Sequence, residues 1–204
     1  MVRVVLVRHG ETGWNKAHRI QGGGSDTPLN ATGRRQKTLI ARRLQTENLN
    51  AVYSSPLRRA VATAQAIADY HNLEVTVEPA LREIDVGEYE GASVIEIGKH
   101  ITEILTMGNR GETVPTMPGG ESLHEVQARV WGRLQHLVKK HPDGTFAVVS
   151  HYFAILSVIC TVLNMPVSQI GRFRMNPGTI STVAFDGAAA YLLSFNDSGH
   201  LTGI

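Results

Sequence analysis

The chain opens on a short apolar run, Val2-Arg3-Val4-Val5-Leu6-Val7, which ends at Arg8-His9-Gly10. A run so short and so rich in β-branched residues reads as a strand buried on both faces, the kind found inside a parallel sheet. Charge at the end of such a strand is unusual. A histidine beside an arginine there suits an anion, and phosphate is the obvious candidate.

The rest of the chain alternates strand and helix. Residues 31–47 read as a helix, with Leu39, Ile40 and Leu44 at helical spacing and Asn30 as N-cap. Ala51 to Ser54 reads as a short strand and 57–71 as an alanine-rich helix. Glu74 to Glu78 alternates polar and apolar before Pro79, which suits a strand. Residues 93–106 read as a helix and 108–120 as a loop rich in glycine and proline. Ser122-Leu123-His124-Glu125 is a capping-box sequence that opens a helix to about Lys140. Thr145 to Ser150 is an apolar strand, followed by a helix from about 153 to 163. Two late strands, near 180–186 and 189–196, flank Asp186-Gly187, a hairpin signal. This alternation predicts an α/β fold: a three-layer α/β/α sandwich on a mostly parallel sheet, with an antiparallel hairpin strand near the end. The length suits one domain over 1–204, with 92–120 an insert or lid.

Composition narrows the partners. A net charge of +2 is too small to argue for nucleic acid or an anionic membrane. No apolar run approaches the ~20 residues that span a bilayer, and the N-terminus lacks a secretory pattern. The one cysteine, Cys160, lies within Ile159-Cys160-Thr161-Val162-Leu163, so it forms no intrachain disulfide and reads as a buried packing residue. These features point to a cytoplasmic protein with a small-molecule partner, and to neither nucleic acid nor membrane.

Ligands of open α/β sheets sit beyond the carboxyl ends of the strands. Three strands here end in reactive residues: Arg8-His9, Ser54 leading into Ser55-Pro56-Leu57-Arg58-Arg59, and Ser150-His151-Tyr152. The segment Leu81-Arg82-Glu83-Ile84-Asp85-Val86-Gly87 brings carboxylates to a loop.

These segments resemble the histidine phosphatase superfamily, also called phosphoglycerate mutase-like. The resemblance runs from Val4 to about Leu201. In the family's order stand Arg8-His9-Gly10-Glu11-Thr12 with Trp14-Asn15, Gln21-Gly22, Pro28-Leu29 with Gly33-Arg34, and Ser54-Ser55-Pro56-Leu57 with Arg59-Ala60 and Thr63-Ala64. Leu81, Glu83, Asp85, Gly87 and Gly91 follow, then Pro118-Gly119-Gly120-Glu121-Ser122 and Val149-Ser150-His151. The resemblance implies a phosphoglycerate mutase-like fold and a phosphohistidine intermediate on His9, whose other ring nitrogen is held by a backbone carbonyl. Arg8, Arg59 and His151 are implied to surround the phosphoryl oxygens, where positioning and electrostatics do most of the catalysis. The family's arginine lies two residues after the leucine, which selects Arg59; Arg58 is then a solvated helix residue. Glu83 is implied as the general acid and base. Thr12, Asn15, Gln21 and Gly22 match phosphate-binding positions, and Asp85 and Glu88 read as loop surface or support.

Departures from the family pattern bear on the leaving group. Gly23-Gly24-Ser25-Asp26 holds one extra residue and no aromatic, which predicts a more flexible loop. Tyr152 replaces the usual glycine; it either narrows the pocket, offers a hydroxyl to substrate, or packs away. Val86 stands where dedicated mutases carry a tyrosine. Residues 92–117 hold Lys99 and Arg110 as the only strong bases and are otherwise mainly apolar. They form either a cover helix or an apolar lid for a bulky leaving group. The resemblance therefore implies a metal-independent, cofactor-free phosphatase acting on phosphate monoesters of small metabolites. Sugar phosphates, phosphoglycerate derivatives, a nucleotide-loop phosphate and phosphoamino acids all fit. The alternatives are a cofactor-dependent phosphoglycerate mutase and a non-catalytic phospholigand-binding protein. The other histidines form no compact ligand motif, and His141 is expected in solvent. A homodimer is common among relatives.

Overall fold

The computed structural model describes residues 1–203 except 97–101, 104, 105, 108, 109, 113 and 115. Its centre is a six-stranded sheet built from β1 (Val2–Arg8), β2 (Ala51–Ser54), β3 (Val75–Val77), β4 (Thr145–Ser150), β5 (Ile180–Asp186) and β6 (Ala189–Asp197). Their order is β3-β2-β4-β1-β5-β6. β1, β2, β3 and β4 run parallel, and β5 is antiparallel to both its neighbours. The hairpin expected at Asp186-Gly187 joins β5 to β6, with Gly187 at φ +58°.

Alternation along the strands makes two cores. Val4, Leu6, Tyr53, Phe146 and Val148 face one way, toward α4 (Leu123–Lys140) and α5 (Tyr152–Val162). Val5, Val7, Val52, Ala147 and Val149 face the other, toward α2 (Ala31–Leu44) and α3 (Arg58–His71). Both faces of β1 and β4 are thus covered, which is why they read as unbroken apolar runs. The result is a three-layer α/β/α sandwich.

The helix starts follow their caps. Asn30 accepts from the Gly33 amide at the head of α2, and Ser122 with Glu125 closes a reciprocal capping box on α4. A four-residue helix, α1 (Gly13–Lys16), was not expected; Thr12 and Asn15 cap it in the same reciprocal way. α2 stops at Leu44 rather than 47, and α5 starts at Tyr152, one residue early. His151 takes an extended backbone (φ −131°, ψ 177°), so the helix begins directly after it. Of the helix expected over 93–106, residues 94–96, 102, 103 and 106 are helical. Residues 97–101, 104 and 105 lie outside the described residues. Described residues of 108–120 carry turns and no regular element. No helix among the described residues is long and apolar enough to cross a membrane.

The chain leaving β1 is wedged against α2 and α3. The Gly10 amide donates to Thr63 Oγ1 at 3.3 Å, and the Glu11 amide donates to Gln36 Oε1 at 2.7 Å. Gly10 and Gly33 face each other so closely that a methyl on Gly10 would lie 2.6 Å from the Gly33 carbonyl oxygen. A methyl on Gly33 would collide with the Glu11 carbonyl. Gly33→Ala should therefore push the 9–11 segment off α2 and cost about 1–3 kcal/mol, as overpacking does. Urea denaturation measures this directly; an unchanged midpoint would show that the close approach carries no constraint.

Candidate active site

The carboxyl ends of β1, β2 and β4 align, with Arg8 opposite Ser150 and Ser54 opposite Val149. The ladder runs one residue further. The His9 amide donates to the Ser150 carbonyl (3.1 Å) and the Ser55 amide to the Val149 carbonyl (3.0 Å). This holds His9, Ser55 and His151 together behind the sheet edge. The His9 and His151 rings lie 5.0 Å apart, tilted by 59°.

His9 is 3% exposed. Its Nδ1 lies 2.7 Å from the Gly10 carbonyl oxygen. A carbonyl only accepts, so Nδ1 carries the proton and Nε2 keeps its lone pair. Burial, reinforced by Arg59 and Arg8, holds its pKa well below the ordinary imidazole value. The result is a neutral imidazole with a free nucleophilic nitrogen. His151 is fully buried and also held neutral, by burial first and then by Arg59, His9 and Arg8. Its Nε2 lies 2.6 Å from Ser55 Oγ, and its Nδ1 has no hydrogen-bond partner.

Arg8, the last residue of β1, is partly buried. Its Nη1 donates to the Met175 carbonyl, and its guanidinium lies 5.1 Å from the centre of the Tyr152 ring. Arg59, in the first turn of α3, is fully buried, with Nη1 donating to Ser25 O (2.8 Å) and Nη2 to Gly22 O (3.0 Å). Burial pulls both guanidiniums down to about 10, which leaves them charged at neutral pH. In both, Nε is buried without an acceptor. Arg58 is exposed, and its backbone amide donates to Asp26 Oδ1 at 2.7 Å. Of the two, Arg59 is thus the buried arginine, although it does not line the cavity described below.

The loop expected to be flexible is held at several points. Glu90 accepts from the Gly22 and Gly24 amides (3.0 and 3.1 Å), the Gly23 amide donates to Ile84 O (2.7 Å), and Arg82 Nε donates to Gly23 O (2.8 Å). Gly22 thus works from behind: its carbonyl holds Arg59 and its amide is committed to Glu90. A methyl there would lie 2.7 Å from Ile84 O. Glu90 was missed by sequence reasoning, since an acid that binds amides 68 and 66 residues away leaves no local pattern.

Glu83 is 4% exposed. Its Oε1 accepts from the amides of Ile84 (2.9 Å), Phe153 (3.1 Å) and Ala154 (3.2 Å), the last two at the head of α5. Burial raises its pKa, against the pull of these amides and of Arg59 and Arg8. A second residue without a sequence signal supports it. Arg129 of α4 donates to the carbonyls of Ala80 (2.8 Å), Arg82 (2.7 Å) and Glu83 (3.0 Å) and pairs with Glu121 (2.7 Å). Glu121 in turn accepts from the Asp85 amide at 2.9 Å. Asp85 and Glu88 are exposed, as expected.

A cavity of about 300 Å³ opens on this site. Arg8, His9, Asn15, Gln21 and Glu83 form its polar side, and Val86, Val94, Met117 and Phe153 its apolar side. The exposed guanidiniums of Arg19 and Arg174 also line it. Thr12 does not line it; its amide donates to Asn15 Oδ1 (3.1 Å) and its buried hydroxyl to Gln21 Oε1 (2.9 Å), so it orients both. Tyr152 presents its ring to the cavity, while its hydroxyl donates to Phe173 O at 2.9 Å. Elsewhere, Cys160 is buried and its thiol is pushed up to about 11 by that burial. His141 is half-buried rather than in solvent, because the Tyr53 hydroxyl lies 2.7 Å from its Nε2. Among the described residues no His, Cys, Asp and Glu group is arranged to hold a metal ion.

Comparison with known proteins agrees with this geometry. The model of the histidine phosphatase superfamily (branch 1) matches residues 4–198. Phosphoserine phosphatase 1 of Hydrogenobacter thermophilus is 35% identical over 201 residues, covering 98% of this chain and 95% of that protein. A protein of Yersinia enterocolitica named "Probable phosphoglycerate mutase GpmB" is 32% identical over 206 residues, covering 98% and 95%. A solved structure of a phosphoserine phosphatase variant from Entamoeba histolytica, in complex with phosphoserine, is 32% identical with a TM-score of 0.88, covering 98% of this chain and all of that one. With fold and sequence in agreement, the chain belongs to the histidine phosphatase superfamily, branch 1.

Proposed function

We propose that the protein hydrolyses phosphate monoesters of small carboxylated metabolites, phosphoserine foremost, by two successive displacements at phosphorus through His9. The observation that carries this reading is a neutral His9 with a free Nε2, close to three buried nitrogens that lack hydrogen-bond partners: Arg8 Nε, Arg59 Nε and His151 Nδ1. Buried donors left unpaired are costly. A phosphoryl group supplies the missing acceptors.

In the first step His9 Nε2 attacks phosphorus as the bond to the leaving oxygen breaks. Arg8, Arg59 and His151 hold the phosphoryl oxygens, and Asn15 and Gln21, oriented by Thr12, line the approach. Glu83 donates its proton to the departing alkoxide. In the second step water gives a proton to Glu83 and attacks the phosphohistidine, releasing inorganic phosphate. Bound phosphate adds negative charge near Glu83 and favours its protonated form.

The whole chain acts as one domain in this reading, and Val94 and Met117 of the expected insert or lid line the cavity. Arg19 and Arg174 have no carboxylate partner among the described residues, and Glu83 is the one acidic side chain lining the cavity. A leaving group with its own carboxylate complements that excess of positive charge. The phosphoserine phosphatases among the relatives favour the same class. The relative named as a mutase favours phosphoryl transfer to a second metabolite; 2-phosphoglycerate formed from 3-phosphoglycerate faster than free phosphate would select that reading. A cytoplasmic location and a homodimer belong to the same proposal, the latter tested by light scattering.

The pH profile follows from the two pKa directions. The first step needs Glu83 protonated and His9 neutral. The rate falls at high pH as Glu83 loses its proton, and burial moves that limb above the ordinary carboxylate value. It falls at low pH as His9 gains one, and burial moves that limb down. Glu83→Gln should lower kcat by about 10²–10⁴ and abolish the high-pH limb; a variant that kept both wild-type limbs would end the role of Glu83.

Two further measurements probe the intermediate and the leaving group. Acid-quenched enzyme should carry acid-labile phosphate that His9→Ala lacks, and a chelator should leave turnover intact; turnover lost on chelation would point to metal chemistry. Arg174→Ala should raise KM for phosphoserine about tenfold, the worth of one charge-assisted hydrogen bond. The same variant should leave phosphoethanolamine hydrolysis unaffected. An equal loss on both esters would remove the carboxylate from the proposal.

A further inference from the structure

Two neutral imidazoles stand side by side at this site, and they need opposite ends free. His9 must present a bare nitrogen to phosphorus. His151 must present an N–H to the phosphoryl oxygens, because a bare ring nitrogen would face them lone pair to lone pair. The Gly10 carbonyl settles the first ring. The second ring has no carbonyl partner.

Its neighbour is Ser55, which is fully buried. Ser55 Oγ accepts from the Leu57 amide at 3.4 Å and lies 2.6 Å from His151 Nε2. A hydroxyl has one proton to place. Among the described residues, the acceptor within reach of that proton is Nε2. The reverse bond, from an Nε2–H to Oγ, would bury the hydroxyl proton with no acceptor and leave Nδ1 bare. The Ser55 backbone is fixed by the rung to Val149 O, and the Ser54 hydroxyl binds the Ser55 carbonyl at 2.9 Å.

We propose that Ser55 is a positioning residue that donates to His151 Nε2 and so holds the ring as its Nδ1–H tautomer, with Nδ1 as the donor to the phosphoryl group. The proposal rests on the reading of the cavity as a phosphate site. The tautomer itself can be read without substrate. The oxyanion donor is then a neutral N–H that needs no titration, and Ser55 acts on phosphorus chemistry without touching it.

Nitrogen-15 NMR of the histidine rings in the full chain tests this, with His151 assigned by its loss in His151→Asn. In the wild-type protein Nδ1 should show the protonated ring-nitrogen shift and Nε2 the unprotonated one, with and without vanadate. Ser55→Ala should move His151 toward a mixture of tautomers and weaken vanadate about tenfold, the worth of one hydrogen bond. Ser55→Thr, which keeps the hydroxyl, should restore both. A wild-type ring protonated at Nε2 overturns the proposal even if the variants fail to fold. So does an unchanged tautomer in Ser55→Ala. A correct tautomer in a protein that binds no vanadate and turns over no ester would instead sink the phosphatase reading and leave the role of Ser55 in holding the ring intact.

Discussion

The parallel register of β1, β4 and β2 is the constraint from which the site follows. Each strand end is placed by the backbone of the next, and the hydrogen-bonded ladder continues through His9 and Ser55 after the strands have ended. Side chains one residue beyond three different strands therefore arrive at fixed positions. The 5.0 Å separation of the two imidazoles is a consequence of sheet geometry, with no contact between the rings needed to set it. The antiparallel β5 closes the other side of β1. The loop before it supplies Gly178, whose amide binds the carbonyls of Arg8 and His9 at 3.1 and 2.9 Å.

How the positive charge is held matters as much as where. Arg8 and Arg59 are fastened by backbone carbonyls, not by carboxylates. Carbonyls satisfy N–H groups without cancelling charge, so both guanidiniums keep a full unit for an incoming anion. The acidic residues stand one step back: Glu90 and Asp26 bind the amides of Gly22, Gly24 and Arg58. The glycine loop thus serves as a spacer between negative carboxylate and positive guanidinium. Gly22 and Gly24 lie close to Glu90, and Gly23 to the Glu83 backbone, so side chains there would force the spacer apart.

Much of this was legible in the sequence because the informative residues are local. A strand that ends in Arg8-His9, an Asn30 cap, a Ser122 capping box and the Leu57-to-Arg59 spacing all speak within a few positions. The fold follows from such signals, and the same signals single out Arg8, His9, Arg59, Glu83 and His151 as the candidate site. What stayed hidden depends on long-range pairing. Glu90 and Arg129 act on backbone amides and carbonyls, which look alike at every position, so nothing in their neighbourhood announces the role. Gly22 matches a phosphate-binding position by resemblance, and the groups that approach it in the structure are the protein's own Ile84 and Val86. The loop of extra glycines suggested freedom, yet its amides donate to Glu90 and Ile84 while its carbonyls accept from Arg59 and Arg82. Tyr152 does two of the things expected of it: its ring faces the cavity, and its hydroxyl is turned away to Phe173.

The placement of Glu83 holds a balance that the chemistry uses. Amides at the head of α5 favour the carboxylate, as helix N-termini favour anions. Burial favours the carboxylic acid and is the larger effect, so the pKa of Glu83 stands above the ordinary carboxylate value. A group balanced in this way changes state with a modest change in its surroundings. In the proposed mechanism, arrival of a phosphate dianion is such a change, pushing toward the acid that the first step needs. Transfer of the phosphoryl group to His9 and departure of the alcohol would then remove part of that push, and the arginines would favour the carboxylate that accepts a proton from water. Arg129 keeps the balance stable by fixing the backbone on which Glu83 stands, through the carbonyls of Ala80, Arg82 and Glu83 itself. In the proposed mechanism the same carboxyl group serves as acid and then as base, with burial favouring one form and the amides and arginines around it the other.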